Sequence, residues 1–106
     1  MAADARQWIM ALNHPLRRQI LRTIKPREMA SATALCRLFE VPRSNVSYHV
    51  NVLVELDVLK LVRTRKVRGA KELFYGVTFE GRAEWVQAVL EDTHGSDNRS
   101  RRVVNR

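Results

Sequence analysis

The 106 residues predict a mainly α domain that carries one two-stranded β-hairpin, in the order α-α-α-α-β-β-α. Three observations carry that prediction. Apolar residues recur at helical spacing from the N-terminus to about Asp57, as in Leu16, Ile20, Ile24 and again in Val46, Val50, Leu53. Strand-like alternation replaces this spacing between Leu59 and Val77. Helical spacing then returns in Phe79, Val86 and Leu90.

The first helix is expected from about Ala3 to Leu12, with Trp8 and Leu12 one turn apart. Asn13-His14-Pro15 interrupts it. Pro15 suits the first turn of a second helix, where a missing N–H forfeits no intrahelical bond. That helix buries Leu16, Ile20 and Ile24 and stops before Pro26. Arg17, Arg18, Arg22 and Lys25 decorate its outer side, as a plain solvated face or as extra backbone contacts to a polyanion. Ser31 is a good N-cap for a third helix, which buries Leu35, Cys36 and Phe39. Only Glu40 and Val41 separate it from Pro42, so the next helix turns sharply away. Two helices joined this tightly make a helix-turn-helix.

The fourth helix runs to near Asp57. Leu59, Leu61, Arg63 and Arg65 then alternate as one strand, and Leu73, Tyr75 and Val77 as its partner, around a turn at Arg68-Gly69-Ala70-Lys71. A last helix opens after Thr78, a suitable N-cap, and reaches about Thr93. Phe79, Val86 and Leu90 mark one apolar face, and Trp85 and Val89 a second. One helix on a small domain does not need both faces buried. The surplus assigns Trp85 and Val89 to a contact with another subunit, and Trp8, which reads as either core or interface, is grouped with them. Residues 1–94 thus read as one domain and residues 95–106, polar and basic, as a disordered tail.

A formal charge of +8 and a pI near 10.8 call for a polyanionic partner. Nucleic acid comes first and an anionic membrane surface second. Membrane insertion is not expected, since no apolar run approaches the roughly 20 residues needed to span a bilayer. No signal-peptide pattern opens the chain, and the one cysteine fits a reducing cytoplasm. The expected location is therefore the cytoplasm, in association with the nucleoid. No nucleophile–base–orienter set, Gly-rich phosphate loop, paired carboxylates or Cys/His cluster is visible, so neither catalysis nor a cofactor is expected.

The fourth helix divides into two faces. Val46, Val50 and Leu53 anchor one side, while Ser44, Ser47, Tyr48 and Asn51 share the other at i, i+3, i+4, i+7 spacing. Arg43 and Tyr48 have the reach for base edges, and Ser44 and Ser47 suit bases or phosphates. Asn45 joins this candidate set. The hairpin beside it holds Lys60, Arg63, Arg65, Lys66, Arg68 and Lys71 against the single acid Glu72. Taken alone, each feature also reads as a solvated surface; side by side they fit one duplex. The DNA-binding candidates are thus Arg43, Ser44, Asn45, Ser47, Tyr48, Asn51, Arg63, Arg65, Lys66, Arg68 and Lys71. His49 reads as a helix-packing histidine and Cys36 as a core residue.

Three segments in order resemble signatures of the ArsR/SmtB family of winged helix-turn-helix repressors. They are Leu12-Asn13-His14-Pro15-Leu16-Arg17-Arg18-Gln19-Ile20-Leu21, then Val46-Ser47-Tyr48-His49-Val50 with Leu53, then Phe74-Tyr75-Gly76-Val77. The resemblance spans about Ala3 to Leu90. It implies a dimer built from the first and last helices, with the fourth helix reading DNA. The chain departs from the family's metal sensors. Ser31 and Thr33 stand where a Cys-x-Cys would be, and Phe79-Glu80-Gly81-Arg82 where Asp-x-His would be, with only His94 late in the helix. Zinc needs about four ligands, so no metal site is expected. Asp57 replaces a glycine common at the end of the recognition helix, at a small cost in stability.

The expected function is a homodimeric, sequence-specific repressor of winged helix-turn-helix fold that binds double-stranded DNA without sensing metal. Its operator would be an inverted repeat with half-sites about ten base pairs apart, or a multiple. The rival readings are a low-specificity architectural DNA-binding protein and a winged-helix module for protein–protein assembly.

Overall fold

The computed structural model describes residues 3–78 and 84–91. Five helices and three strands follow in order: α1 (Ala5–Ala11), α2 (Pro15–Thr23), β1 (Ala30–Ser31), α3 (Ala32–Phe39), α4 (Arg43–Glu55), β2 (Leu59–Val67), β3 (Ala70–Val77) and α5 (Glu84–Glu91). The expected winged helix-turn-helix is the fold observed, with one added strand.

Local chemistry sets the helix boundaries. Asp4 and Gln7 exchange side-chain and backbone hydrogen bonds in a capping box that starts α1. Ser31 caps α3, its hydroxyl accepting from the Ala34 N–H at 3.1 Å. Glu40 takes a left-handed φ of 59°, which reverses the chain between α3 and α4. The end of α4 is a double cap: the Asp57 N–H reaches the Val54 carbonyl and the Val58 N–H the Leu53 carbonyl. That cap requires the left-handed conformation Asp57 adopts, at φ 63°.

α2 and α3 pack on α4, with α5 against α2, β2 against α4 and β1 against α3, and Trp8, Ala11 and Leu12 of the α1 region join the core. Val46, Val50 and Leu53 are buried, as the stripe on α4 requires, and Ile20, Leu21, Leu35 and Leu59 meet them. Deleting a fully buried leucine such as Leu53 to alanine costs about 2–5 kcal/mol in comparable cores. On α5, Val86 and Leu90 face inward, whereas Trp85 and Val89 remain exposed. Phe79 and the start expected for this helix after Thr78 lie outside the described residues, as does the tail assigned to residues 95–106.

Three sequence expectations are corrected. Trp8 is only 3% exposed within a single chain, so it belongs to the protein's own core and offers little surface to a second subunit. The exposed apolar residues of α1 are instead Ile9 and Met10. The hairpin turn is also tighter than expected. Val67 already pairs with Ala70, leaving Arg68 and Gly69 as a two-residue loop with φ 52° and 84°. Ala70 and Lys71 are therefore strand residues.

The third correction concerns the strands. The sheet has three, in the order β1-β3-β2, all antiparallel. β1 contributes only Ala30 and Ser31, opposite Tyr75 and Phe74. In β2 the alternation breaks at Val62: Leu61 pairs with Tyr75, but Arg63 pairs with Phe74. One extra residue in β2 is a bulge that shifts the register by one. Gly76 sits at the same place, where an added Cβ would lie 2.9 Å from the Glu28 carbonyl oxygen and 3.0 Å from Val62 Cγ2.

Candidate nucleic-acid interface

The bulge decides the chemistry of the hairpin tip. An unbroken ladder from Leu61 opposite Tyr75 would place Arg65 opposite Lys71. The shifted register sets Arg65 opposite Glu72 and Lys66 opposite Lys71. Opposite charges now meet in one cross-strand pair, while two lysines share the next. The Arg65 guanidinium donates to Glu72 Oε1 at 2.7 Å and lies over the Phe74 ring, 5.5 Å from its centroid. The other carboxylate oxygen of Glu72 accepts from the Ser31 hydroxyl at 3.1 Å. Ser31 is also the N-cap of α3, so a single carboxylate joins the wing to the helix-turn-helix. The hydrogen bond from Arg65, with smaller help from Ser31, holds the Glu72 carboxyl below its ordinary range.

Between the wing and the two motif helices runs an open groove of about 610 Å³. Arg43, Ser47 and Asn51 of α4 line it, facing Arg65 and Lys71 of the hairpin. Thus five of the eleven expected DNA-binding residues share one concave surface. Ser44, Asn45 and Tyr48 are exposed on the rest of α4, and Tyr48 keeps 62% of its surface. Arg63, Lys66 and Arg68 are exposed along the hairpin, outside the groove lining. Thr33 and Arg37 of α3 also line the groove and were not foreseen. Thr33 and Arg37 are four residues apart, which places both on one side of α3, a signal that the apolar stripe of Leu35 and Phe39 overshadowed.

No side chain caps α4, whose N-cap is Pro42. Its first backbone N–H groups therefore point out of the helix beside Arg43, where the helix dipole favours an anion.

The arginines of α2 act inside the chain. The Arg17 guanidinium donates to the Met10 and Ala11 carbonyls at 3.1 and 3.2 Å, and Arg18 to the Leu12 carbonyl at 2.6 Å. They close the C-terminal end of α1, where orphan carbonyls and the helix dipole favour cations. Arg17 also reaches His49 on α4, 3.2 Å from Nδ1. Arg22 reaches the Leu90 carbonyl of α5 at 3.4 Å. Cys36 is half-buried, its thiol donating to the Thr33 carbonyl at 3.2 Å.

Among the described residues, no group of three or more His, Cys, Asp or Glu side chains is placed to hold a metal ion. No helix among them is long and apolar enough to cross a membrane.

Comparison with known proteins agrees with this architecture. A family model described as a helix-turn-helix domain matches residues 12–62. Among solved structures, reduced HlyU from Vibrio cholerae N16961 is 26% identical, with 85% of this chain and 84% of that chain covered and a TM-score of 0.58. The transcriptional regulator HlyU from Vibrio vulnificus CMCP6 is 23% identical, with 85% and 83% covered and a TM-score of 0.58. The transcriptional repressor PagR of Bacillus anthracis is 19% identical, with 81% and 87% covered and a TM-score of 0.56. No curated protein matches the chain.

Proposed function

We propose that this chain is a winged helix-turn-helix protein of the ArsR/SmtB type and a DNA-binding transcriptional regulator that acts as a homodimeric repressor. One observation carries the reading. Arg43, Ser47 and Asn51 of α4 share a groove with Arg65 and Lys71 of the wing, in a protein of formal charge +8. α4 enters a major groove with Arg43, Ser44, Asn45, Ser47, Tyr48 and Asn51 toward the bases and flanking phosphates. The hairpin, with Arg63, Lys66 and Arg68 outermost, follows the backbone or the neighbouring minor groove.

Two copies pair through the apolar face that α5 leaves uncovered at Trp85 and Val89, with Ile9 and Met10 of α1 supplying the further apolar surface. A two-fold pair reads an inverted repeat with half-sites about one helical turn, or ten base pairs, apart. Occupying promoter DNA then represses by excluding other proteins from it. Selection of bound duplexes from a random pool tests the whole reading. An enriched inverted repeat at that spacing supports it, and recovery of unenriched sequence at physiological salt refutes it.

A further inference from the structure

Two imidazoles meet where α4 crosses the start of α2. Their ring centroids lie 4.1 Å apart with the planes tilted by 38°. His14 is the N-cap of α2, its Nδ1 accepting from the Leu16 N–H at 3.0 Å. His49 Nδ1 lies 3.2 Å from an Arg17 guanidinium nitrogen. A guanidinium only donates, so His49 Nδ1 must accept there. Both rings therefore hold their proton on Nε2 and offer Nδ1 as a bare acceptor. His49 also meets Tyr48 edge-on, with centroids 5.0 Å apart.

We propose that His14 and His49 form a positioning pair that holds Tyr48 for base reading only while both imidazoles are uncharged, so that base discrimination is lost in mild acid. The inference rests on the DNA-reading role proposed above. Protonation would turn each Nδ1 from acceptor to donor. His14 would then face the Leu16 N–H and His49 the Arg17 guanidinium, donor against donor. The charged groups facing the pair are the guanidiniums of Arg17 and Arg18 on α2. α1 presents carbonyl oxygens already engaged by those arginines, and α4 presents the Tyr48 ring. Protonating both rings would add two positive charges beside these two guanidiniums. Burial lowers the pKa of both rings, with Arg17 and Arg18 adding to it at His14, and His14 and Arg17 at His49. The uncharged pair is thus complete above the ordinary histidine range and is lost as pH falls through and below it.

The effect has a signature that simple charging lacks. Protonated histidines add positive charge and so strengthen attraction to any duplex. Loss of positioning weakens only the discrimination between duplexes.

The test uses the full chain, a duplex recovered by selection and a scrambled duplex of equal length. Both affinities are measured at constant ionic strength at about pH 8 and about pH 5, the two ends of the range over which histidines change charge. The expected result is a fall of about tenfold in the specificity ratio in acid, the size of one base-reading contact, while scrambled-duplex binding holds or rises. In the double variant His14→Asn/His49→Asn, the side-chain carbonyls supply both acceptors without titrating, and asparagine is itself a favoured N-cap. Whatever its ratio near pH 8, that ratio is expected to persist in acid. An unchanged ratio in the wild-type chain overturns the proposal. So does an equal acid loss in the double variant, or a loss accompanied by collapse of helical ellipticity. A ratio near one already at the higher pH removes base reading itself, and this proposal with it.

Discussion

Replacing Glu72 with glutamine tests whether the groove between α4 and the wing is the surface that meets DNA. Glu72 lines that groove, within 2.7 Å of Arg65 and alongside Arg43 and Lys71. Glutamine keeps a carbonyl for the Ser31 hydroxyl, so the link to the α3 cap survives while one negative charge goes. Arg65 is then free to neutralise a phosphate. Each phosphate neutralised adds about 0.9 to the slope of log affinity against log salt. Between about 50 and 200 mM salt, a slope change of that size is worth roughly 3.5-fold in affinity. Glu72→Gln should therefore steepen the slope by about 0.9, for cognate and scrambled duplexes alike. The control is Glu84→Gln, which removes the same formal charge from an exposed position on α5. A Debye length of about 10 Å at 0.1 M salt screens distant charges, so its slope should stay close to that of the unaltered chain. Fluorescence anisotropy titrations at four or five salt concentrations measure both. Equal slope changes in the two variants, or none in Glu72→Gln, would refute the placement of DNA in this groove.

Arg43→Ala or Tyr48→Ala should each cost about 1–3 kcal/mol on the preferred duplex and blur base preference, as read by competition with single-base variants of the selected site. Gly76→Ala should destabilise the fold by about 1–3 kcal/mol in chemical denaturation, because the new methyl meets the Glu28 backbone carbonyl and Val62 at the bulge. Gly69→Ala meets nothing within 4 Å and should cost only the left-handed φ of 84°, about 1 kcal/mol. Zinc, cadmium or arsenite added to the DNA complex should leave it intact; metal-dependent release would refute the expectation, drawn from Ser31, Thr33 and Phe79-Glu80-Gly81-Arg82 at the family's ligand positions, that no metal is sensed.

The helices were legible because their signals are local. Val46, Val50 and Leu53 repeat on one side of α4, and Ser31 caps α3 through its own hydroxyl. The position expected to need glycine was also readable: Asp57 does adopt a positive φ. Other features depend on partners distant in sequence. β1 is two residues long, too short to show a period, and exists because β3 offers it an edge. The bulge at Val62 is invisible to an alternation count that assumes a continuous strand, so the pairing of Arg65 with Glu72 was missed. Trp8 looked like surplus apolar surface because helical spacing alone does not show which side a core will occupy. Arg17 and Arg18 looked solvated because their carbonyl partners lie six or seven residues back, outside helical spacing. His14 was read past in favour of Pro15, although its ring is the cap that begins α2.

The short strand β1 has a mechanical consequence. Ala30 and Ser31 pair with the middle of β3, and the residue that completes this ladder also begins the helix-turn-helix. A swing of the hairpin relative to α3 and α4 would strip these hydrogen bonds and uncap a helix in the same motion. If the proposed function holds, a hairpin braced in this way would yield little to a duplex. Compliance would then fall to the nucleic acid, and base steps that bend or narrow easily would be favoured beneath the hairpin even where no side chain touches them.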